Sequence, residues 1–263
     1  MRTFLYLAKM RILVGLAYRF EVFATLASNF ILLTATIFLW RASYRGIGAV
    51  NGVNQSQMLT FAIMGAALNS LFVTGVEQTI LTRVRQGTIA IDFIRPYNPF
   101  TQWLAQDIGA AISATATNAL PLLLVGMALA KAPLPANGNA AMLFVPSCML
   151  SYGILWILSA LTGLTAFWFL ELGNLGFVKN MTVSLLSGSI VPIWFWPKRL
   201  QAISDWLPFK YAFQTPLGIY IGKIHPAEAA GTLLIQAAWL LGLGLILVAV
   251  SRAAASKLIV QGD

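Results

Sequence analysis

Hydrophobic positions along this chain come in long uninterrupted runs, with polar residues confined to short breaks between them. Six uncharged runs stand out: Val22 to Trp40, Gly46 to Glu77 after a polar start, Ile108 to Ala130, Ala132 to Leu170, Asn180 to Pro197, and Ala229 to Ser251. The bilayer hydrocarbon is about 30 Å thick, so about 20 apolar helical residues cross it. The fourth run opens with APLPANGNA, whose Pro and Gly belong in a turn, so its span starts near Ala141. The fifth is bounded less clearly, by Lys179 near its start and Pro192 near its end. The pattern predicts an all-α, polytopic membrane protein with spans over residues 22–42, 57–78, 107–130, 141–169, 173–193 and 229–251. A polar segment over 79–106 joins spans two and three, and a long connection over 194–228 joins spans five and six.

Composition agrees with this reading. Of 263 residues, 59% are hydrophobic and 10% charged, against about 25% charged in soluble domains. The basic opening MRTFLYLAKMRILVGLAYRF has no small-residue cleavage site before the first span, so no removable leader is expected. The net charge of +9 reads mainly as topology and contact with anionic lipid. An even number of spans puts Arg2, Lys9, Arg11, Arg19, Arg83, Arg85, Arg95, Lys179, Arg252 and Lys257 on one side. Arg41, Arg45, Lys131, Lys198, Arg199, Lys210 and Lys223 fall on the other, four of them in one long connection that votes weakly. Both termini are therefore expected in the cytoplasm. Basic residues spread over both sides argue against a nucleic-acid partner.

Candidate chemistry is sparse. One Cys, Cys148, lies inside a span and one His, His225, lies beside Pro226, too little for a structural zinc site or a Cys–His nucleophile. Asp107 and Glu171 are expected at span ends, leaving no carboxylate at mid-depth. Uncharged polar residues do fall deep in spans: Asn29, Thr34, Thr36, Asn69, Ser70, Thr74, Asn118 and Ser184. Such side chains either bond between helices or line a cargo path, for which Asn29, Thr36, Asn69, Thr74 and Ser184 are the candidates. The sequence has no G-x-x-x-x-G-K-[ST] phosphate loop. A pump built on this chain must take its energy from another subunit, and no cofactor is expected.

The break between spans two and three reads LTRVRQGTIAIDFIRPYNPF. Span two is expected to continue as a helix through Arg85 and stop at Gly87. The piece TIAIDFI is too short to span and too apolar for a plain loop, with Ile89, Ile91, Phe93 and Ile94 as apolar surface and Asp92 as a charge. Pro96 and Pro99 close it. The pattern G-x-I-x-x-x-x-I-R-P-x-N-P, here Gly87, Ile89, Ile94, Arg95, Pro96, Asn98 and Pro99, resembles the cytoplasmic coupling loop of type-2 ABC exporter permeases. In that family the loop carries a short helix that docks into the ATP-binding subunit. The resemblance implies docking by Arg83, Arg85, Gly87, Ile89, Asp92, Ile94, Arg95 and Pro96, with the arginines also suited to lipid phosphate.

The long connection supports the same resemblance. From Pro197 a short amphipathic helix is expected, with Leu200, Ile203, Trp206 and Leu207 on one face. The elements P-x-W-x-x-P, L-P-F and P-x-x-x-Y-x-G are carried by Pro192, Trp194, Pro197, Leu207, Pro208, Phe209, Pro216, Tyr220 and Gly222. They are similar to the outer re-entrant helices of the family; an ordinary interfacial loop is the alternative. The basic N-terminal segment is similar to the family's interfacial helix.

The resemblance is closest to a bacterial subgroup encoded beside a second, related permease and an ATPase. It implies a multi-pass transport subunit of the bacterial cytoplasmic membrane, without its own ATPase site, partnered by an ABC ATP-binding subunit and a second permease protomer. An apolar path with hydroxyl and amide spots favours an amphipathic or hydrophobic cargo, drug-like or lipid. Two alternatives stay open. An ion-coupled secondary transporter predicts internal repeats and intramembrane ionisable residues. A lipid-modifying enzyme predicts clustered acids or bases, whereas Asp92, Asp107 and Glu171 are scattered.

Overall fold

The computed structural model describes residues 6, 9, 10, 19–94, 98–130, 138–169 and 174–260. The expected interfacial helix, and Arg95, Pro96, Lys131 and Glu171, lie at least in part outside them. The described chain is almost wholly helical. Helix α1, Arg19–Ser43, is followed by a two-strand ribbon, β1 (Ala49–Val50) and β2 (Val53–Asn54), antiparallel with Val50 opposite Val53. Asn51 and Gly52 close it with φ of 50° and 75°, the turn an Asn-Gly pair favours. Asn54 then caps α2, Gln55–Leu71, in a reciprocal capping box with Gln57.

Spans two and three each differ from a plain rod. After α2 the chain breaks at Phe72–Gly75 and restarts as α3, Val76–Arg85. It stops at Gly87 as expected, and a six-residue helix α4, Ile89–Ile94, follows. Helix α5, Pro99–Ala114, starts earlier than the expected 107 because the Asn98 side chain accepts from the Phe100 N–H and Pro99 fills the first turn. A five-residue π turn, Thr115–Ala119, links it to α6, Leu120–Ala130. Helix α7, Gly138–Leu164, and helix α11, Pro226–Val260, form the most extensive helix pair.

Five stretches are long and apolar enough to cross a membrane: Phe20–Ser43, Gln55–Arg85, Pro99–Ala130, Gly138–Phe167 and Pro226–Lys257. The all-α, polytopic architecture is as read from the hydrophobic runs, with one difference in helix length. The fifth expected span, 173–193, is a 12-residue helix, α8, Leu175–Leu186, about 18 Å long and so little more than half the bilayer core. The reason is a turn at Ser187–Gly188. Gly188 has φ of 77°, and a Cβ there would come within 2.4 Å of Gln214 Oε1. That amide also accepts from Ile193 N–H, and Gln214 N–H donates to the Ser187 carbonyl.

Beyond that turn the chain folds back as α9, Lys198–Asp205, and α10, Gln214–Tyr220. All of α10 is buried. The two ends of the bundle have separate apolar cores. One joins Phe61, Met64, Phe72, Phe213, Leu217 and Tyr220 near the ribbon; the other joins Val76, Ile80, Ile89, Trp103, Trp156 and Leu164 near α4.

Candidate functional site

Helix α3 has a charged contact at each of three levels. At its N-terminus, Asp107 of α5 accepts from Gly75 N–H and Val76 N–H at 3.0 Å each, and from Trp156 Nε1 of α7 at 2.9 Å. A carboxylate on the first N–H groups of a helix satisfies donors that have no partner within the helix, and it meets the positive end of the dipole. At the next residue, Glu77 Oε2 accepts from Lys179 Nζ of α8 at 2.6 Å, and Lys179 also donates to Ser159 Oγ at 2.9 Å. At the far end Arg83 pairs with Asp92 of α4.

That last pair sets the rotation of α4. Asp92 is 2% exposed and Ile89 lies in the core, so these two members of the expected docking set face inward. The opposite face carries Ile91, 54% exposed, and Ile94, 82% exposed. Three residues apart, they share one helix face. Arg85, Gln86 and Gly87 are exposed beside them, and Arg83 is half-buried.

Two cavities flank the break between α2 and α3. The larger, about 970 Å³, is walled by α1, α2, α5 and the π turn, and includes Asn29, Thr36 and Asn69 of the expected path. The smaller, about 420 Å³, is lined by Asn69, Thr74 and Ser184 together with Glu77 and Lys179. Asn69 and Val73 line both. Several polar groups here are already bonded: Thr36 Oγ1 donates to the Leu32 carbonyl, Asn69 Nδ2 to Gly65, and Thr74 Oγ1 to Ser159 Oγ.

The α9–α10 hairpin meets the bundle through a neutral polar network. Gln236 of α11 is fully buried; its Nε2 donates to the Tyr211 carbonyl at 2.8 Å and to Ser151 Oγ at 3.0 Å. Its Oε1 accepts from Ser147 Oγ at 2.9 Å, and Ser151 Oγ donates to the same Tyr211 carbonyl at 2.9 Å. Pro192, Pro208, Pro216 and Tyr220 are buried in this region, Trp194 and Phe209 are partly buried, and Pro197 is exposed. Trp194 packs edge-on against Phe61 at 5.0 Å.

Residues 30–257 match the family described as ABC-2 family transporter protein. The chain belongs to that family. No curated protein and no solved structure matches it. It is thus a type-2 ABC permease, a transport subunit embedded in a membrane by several spans.

Within this ABC-2 permease, Asp107 lies in the third turn of α5, about 12 Å from the helix start, and is 5% exposed. The larger cavity is therefore not lined by uncharged groups alone, since Asp107 and Glu21 are both on its wall. The sequence reading also passed over Glu77 with Lys179, and over Gln236 with Ser147 and Ser151. A single Gln in the last apolar run was a visible signal. The Glu77–Lys179 pair had none, because its members are 102 residues apart.

Proposed function

We propose that this ABC-2 permease is the membrane half of an ATP-driven exporter that moves an amphipathic or hydrophobic cargo, drug-like or lipid, out of a bacterial cell. The observation that carries the reading is the exposed Ile91–Ile94 face of α4, set at the end of α3 and locked in rotation by the Arg83–Asp92 pair. An apolar face on a short helix outside the spans suits a groove on a second protein. The occupant is an ABC ATP-binding subunit, with Arg85 beside the contact. In this reading α4 and both termini lie in the cytoplasm and the ribbon faces outward.

ATP binding draws two ATPase subunits together and pushes on α4. Helix α3 is stiff along its axis and bonded to α5, α8 and α4 at successive levels, so the push reaches the break at Phe72–Gly75, where the two cavities meet. Coupling of this kind needs two arrangements that ATP stabilises differently. A second permease protomer, identical or related, completes the path.

The α9–α10 hairpin serves as a re-entrant plug from the outer face. Gln236 meets the Tyr211 carbonyl ten residues along α11 from Pro226, about 15 Å of rise and close to mid-bilayer. Non-helical backbone is tolerated at that depth only when protein groups satisfy it, which is what Gln236 and Ser151 do.

The test is recovery of the detergent-solubilised permease from its native host, with mass spectrometry of what accompanies it. An ABC ATP-binding subunit is expected, and Ile94→Asp, which puts a charge on the docking face without touching the core, is expected to remove it. A permease that comes alone in every detergent, with transport that depends on an ion gradient, would overturn the reading in favour of a secondary carrier.

A further inference from the structure

We propose that the larger cavity takes an amphipathic cation, and that Asp107 is the positioning residue that relays the presence of the cation to α3. The inference rests on the transport reading above and names the charge class of its cargo.

Three observations converge on it. The chain has 17 lysines and arginines and 8 acids, yet among the described residues the charged side chains on the wall of the 970 Å³ cavity are both acidic, Glu21 and Asp107. Its size is within the range of small-molecule sites, which combine an apolar lining with a few placed polar groups. In apolar surroundings a carboxylate attracts a cation far more strongly than in water.

The second observation is an acceptor left over behind the same wall. Asn118 lies in the π turn and is 9% exposed. Its Nδ2 donates to Thr117 Oγ1 at 3.1 Å, while the Thr117 hydroxyl is itself committed to the Ser113 carbonyl at 3.0 Å. The amide cannot be turned over without losing that bond, and Asn118 Oδ1 has no hydrogen-bond partner. A π turn inside a helix is often found at a functional site, and here an unmet acceptor, closed to water, lies behind a wall that already carries carboxylates.

The third is what Asp107 holds. The carboxylate that lines the cavity is the group that caps α3 through Gly75 and Val76, and α3 leads directly to the docking helix. A cation beside Asp107 draws the carboxylate away from those two N–H groups and loosens the cap at the break. An anion or a neutral molecule has no such purchase. Cargo charge is thereby converted into freedom of α3, ahead of any push from ATP.

The experiment uses the full-length permease in nanodiscs, alone and with its ATPase, and two probes of the same shape and opposite charge, tetraphenylphosphonium and tetraphenylborate. Empty nanodiscs supply the lipid background. Tetraphenylphosphonium is expected to bind the permease and raise the ATPase rate of the complex, and tetraphenylborate to do neither. Asp107→Asn is expected to weaken binding by about tenfold and to abolish the ATPase response. Glu21→Gln, at an exposed position in the first turn of α1, is expected to weaken binding by about twofold to threefold.

Equal binding of both probes, or binding unchanged in both variants, overturns the charge assignment. Absence of binding by either probe overturns the cavity as an amphiphile site. If Asp107→Asn does not fold, unchanged binding by Glu21→Gln is sufficient to overturn the assignment. Binding to the permease alone is independent of the ATPase, so a permease that binds the cation but recruits no ATPase refutes the exporter reading and leaves the cation site standing.

Discussion

The surroundings of α3 and the tip of the α9–α10 hairpin both hold polar groups among apolar helices, one with formal charges and the other with neutral amides and hydroxyls. Asp107, the Glu77–Lys179 pair and the Arg83–Asp92 pair surround α3. Gln236, Ser147, Ser151 and the Tyr211 carbonyl hold the hairpin. The difference matters because the two kinds of attraction decay differently with distance. Coulomb attraction falls as the inverse of separation, so a charged pair that opens by a few ångströms keeps part of its energy. A hydrogen bond is lost beyond about 3.5 Å. Charged contacts therefore suit a helix that must shift and remain guided, and neutral ones suit a plug that must stay.

The packing points the same way. Helix α10 is buried along its length, with Phe213 against Phe72 at 5.3 Å and Tyr220 against Phe144 at 5.1 Å. Helix α8, which supplies Lys179 to α3, has no buried residue. It is joined to the bundle by few contacts besides that ion pair.

The largest expected effect is on the static side. Gln236→Leu leaves the Tyr211 carbonyl and two serines short of partners, and should cost about 2–3 kcal/mol. That is more than the roughly 0.6 kcal/mol of an average interhelical bond in lipid, because several buried groups lose a partner at once. Thermal unfolding in detergent measures it, and a loss no larger than for a single surface bond would sink the plug assignment.

Next comes Lys179→Met. It strands Glu77 in a partly enclosed cavity and should destabilise by about 1–2 kcal/mol, less than the 3–5 kcal/mol of a fully buried broken pair. Adding Glu77→Gln should recover most of that loss. A double-mutant cycle with no coupling would show that α8 is not held through this pair.

The smallest effect on stability belongs to the double variant Arg83→Met with Asp92→Asn. It removes the brace without stranding the buried Asp92 carboxylate, so the fold should lose about 0.5–1 kcal/mol. ATPase association should nevertheless weaken by about tenfold, or 1.4 kcal/mol, as α4 loses its fixed rotation. Association unchanged in this variant would separate docking from the Arg83–Asp92 brace and weaken the contrast drawn between the two regions.

The outline of the short helix α4 was legible in LTRVRQGTIAIDFIRPYNPF, since Gly87 and Pro99 punctuate it and the isoleucines between are too few to span. Which isoleucines face outward was not. A six-residue helix has too little periodicity to orient itself, and the Arg83–Asp92 pair does so instead. The early start of α5 was passed over because the search was for uncharged runs, although Asn98 and Pro99 carried the capping signal. The shortness of α8 was hidden for a different reason. Ser187 and Gly188 form a sharp turn in contact with Gln214, which arrives from 26 residues along the chain.

Taken alone, the order of residues determined the solvent for this protein, the number of apolar segments and the sites of their polar breaks. Those properties depend on transfer of side chains from water to hydrocarbon, summed over neighbours in the chain. Tertiary structure decided which carboxylate caps α3, which face of α4 is exposed, and where the helix of the fifth apolar run stops. Each of those depends on a few partners brought from far along the chain, and the energy of a charge or a carbonyl in a low-dielectric interior is set by the atoms that meet it there.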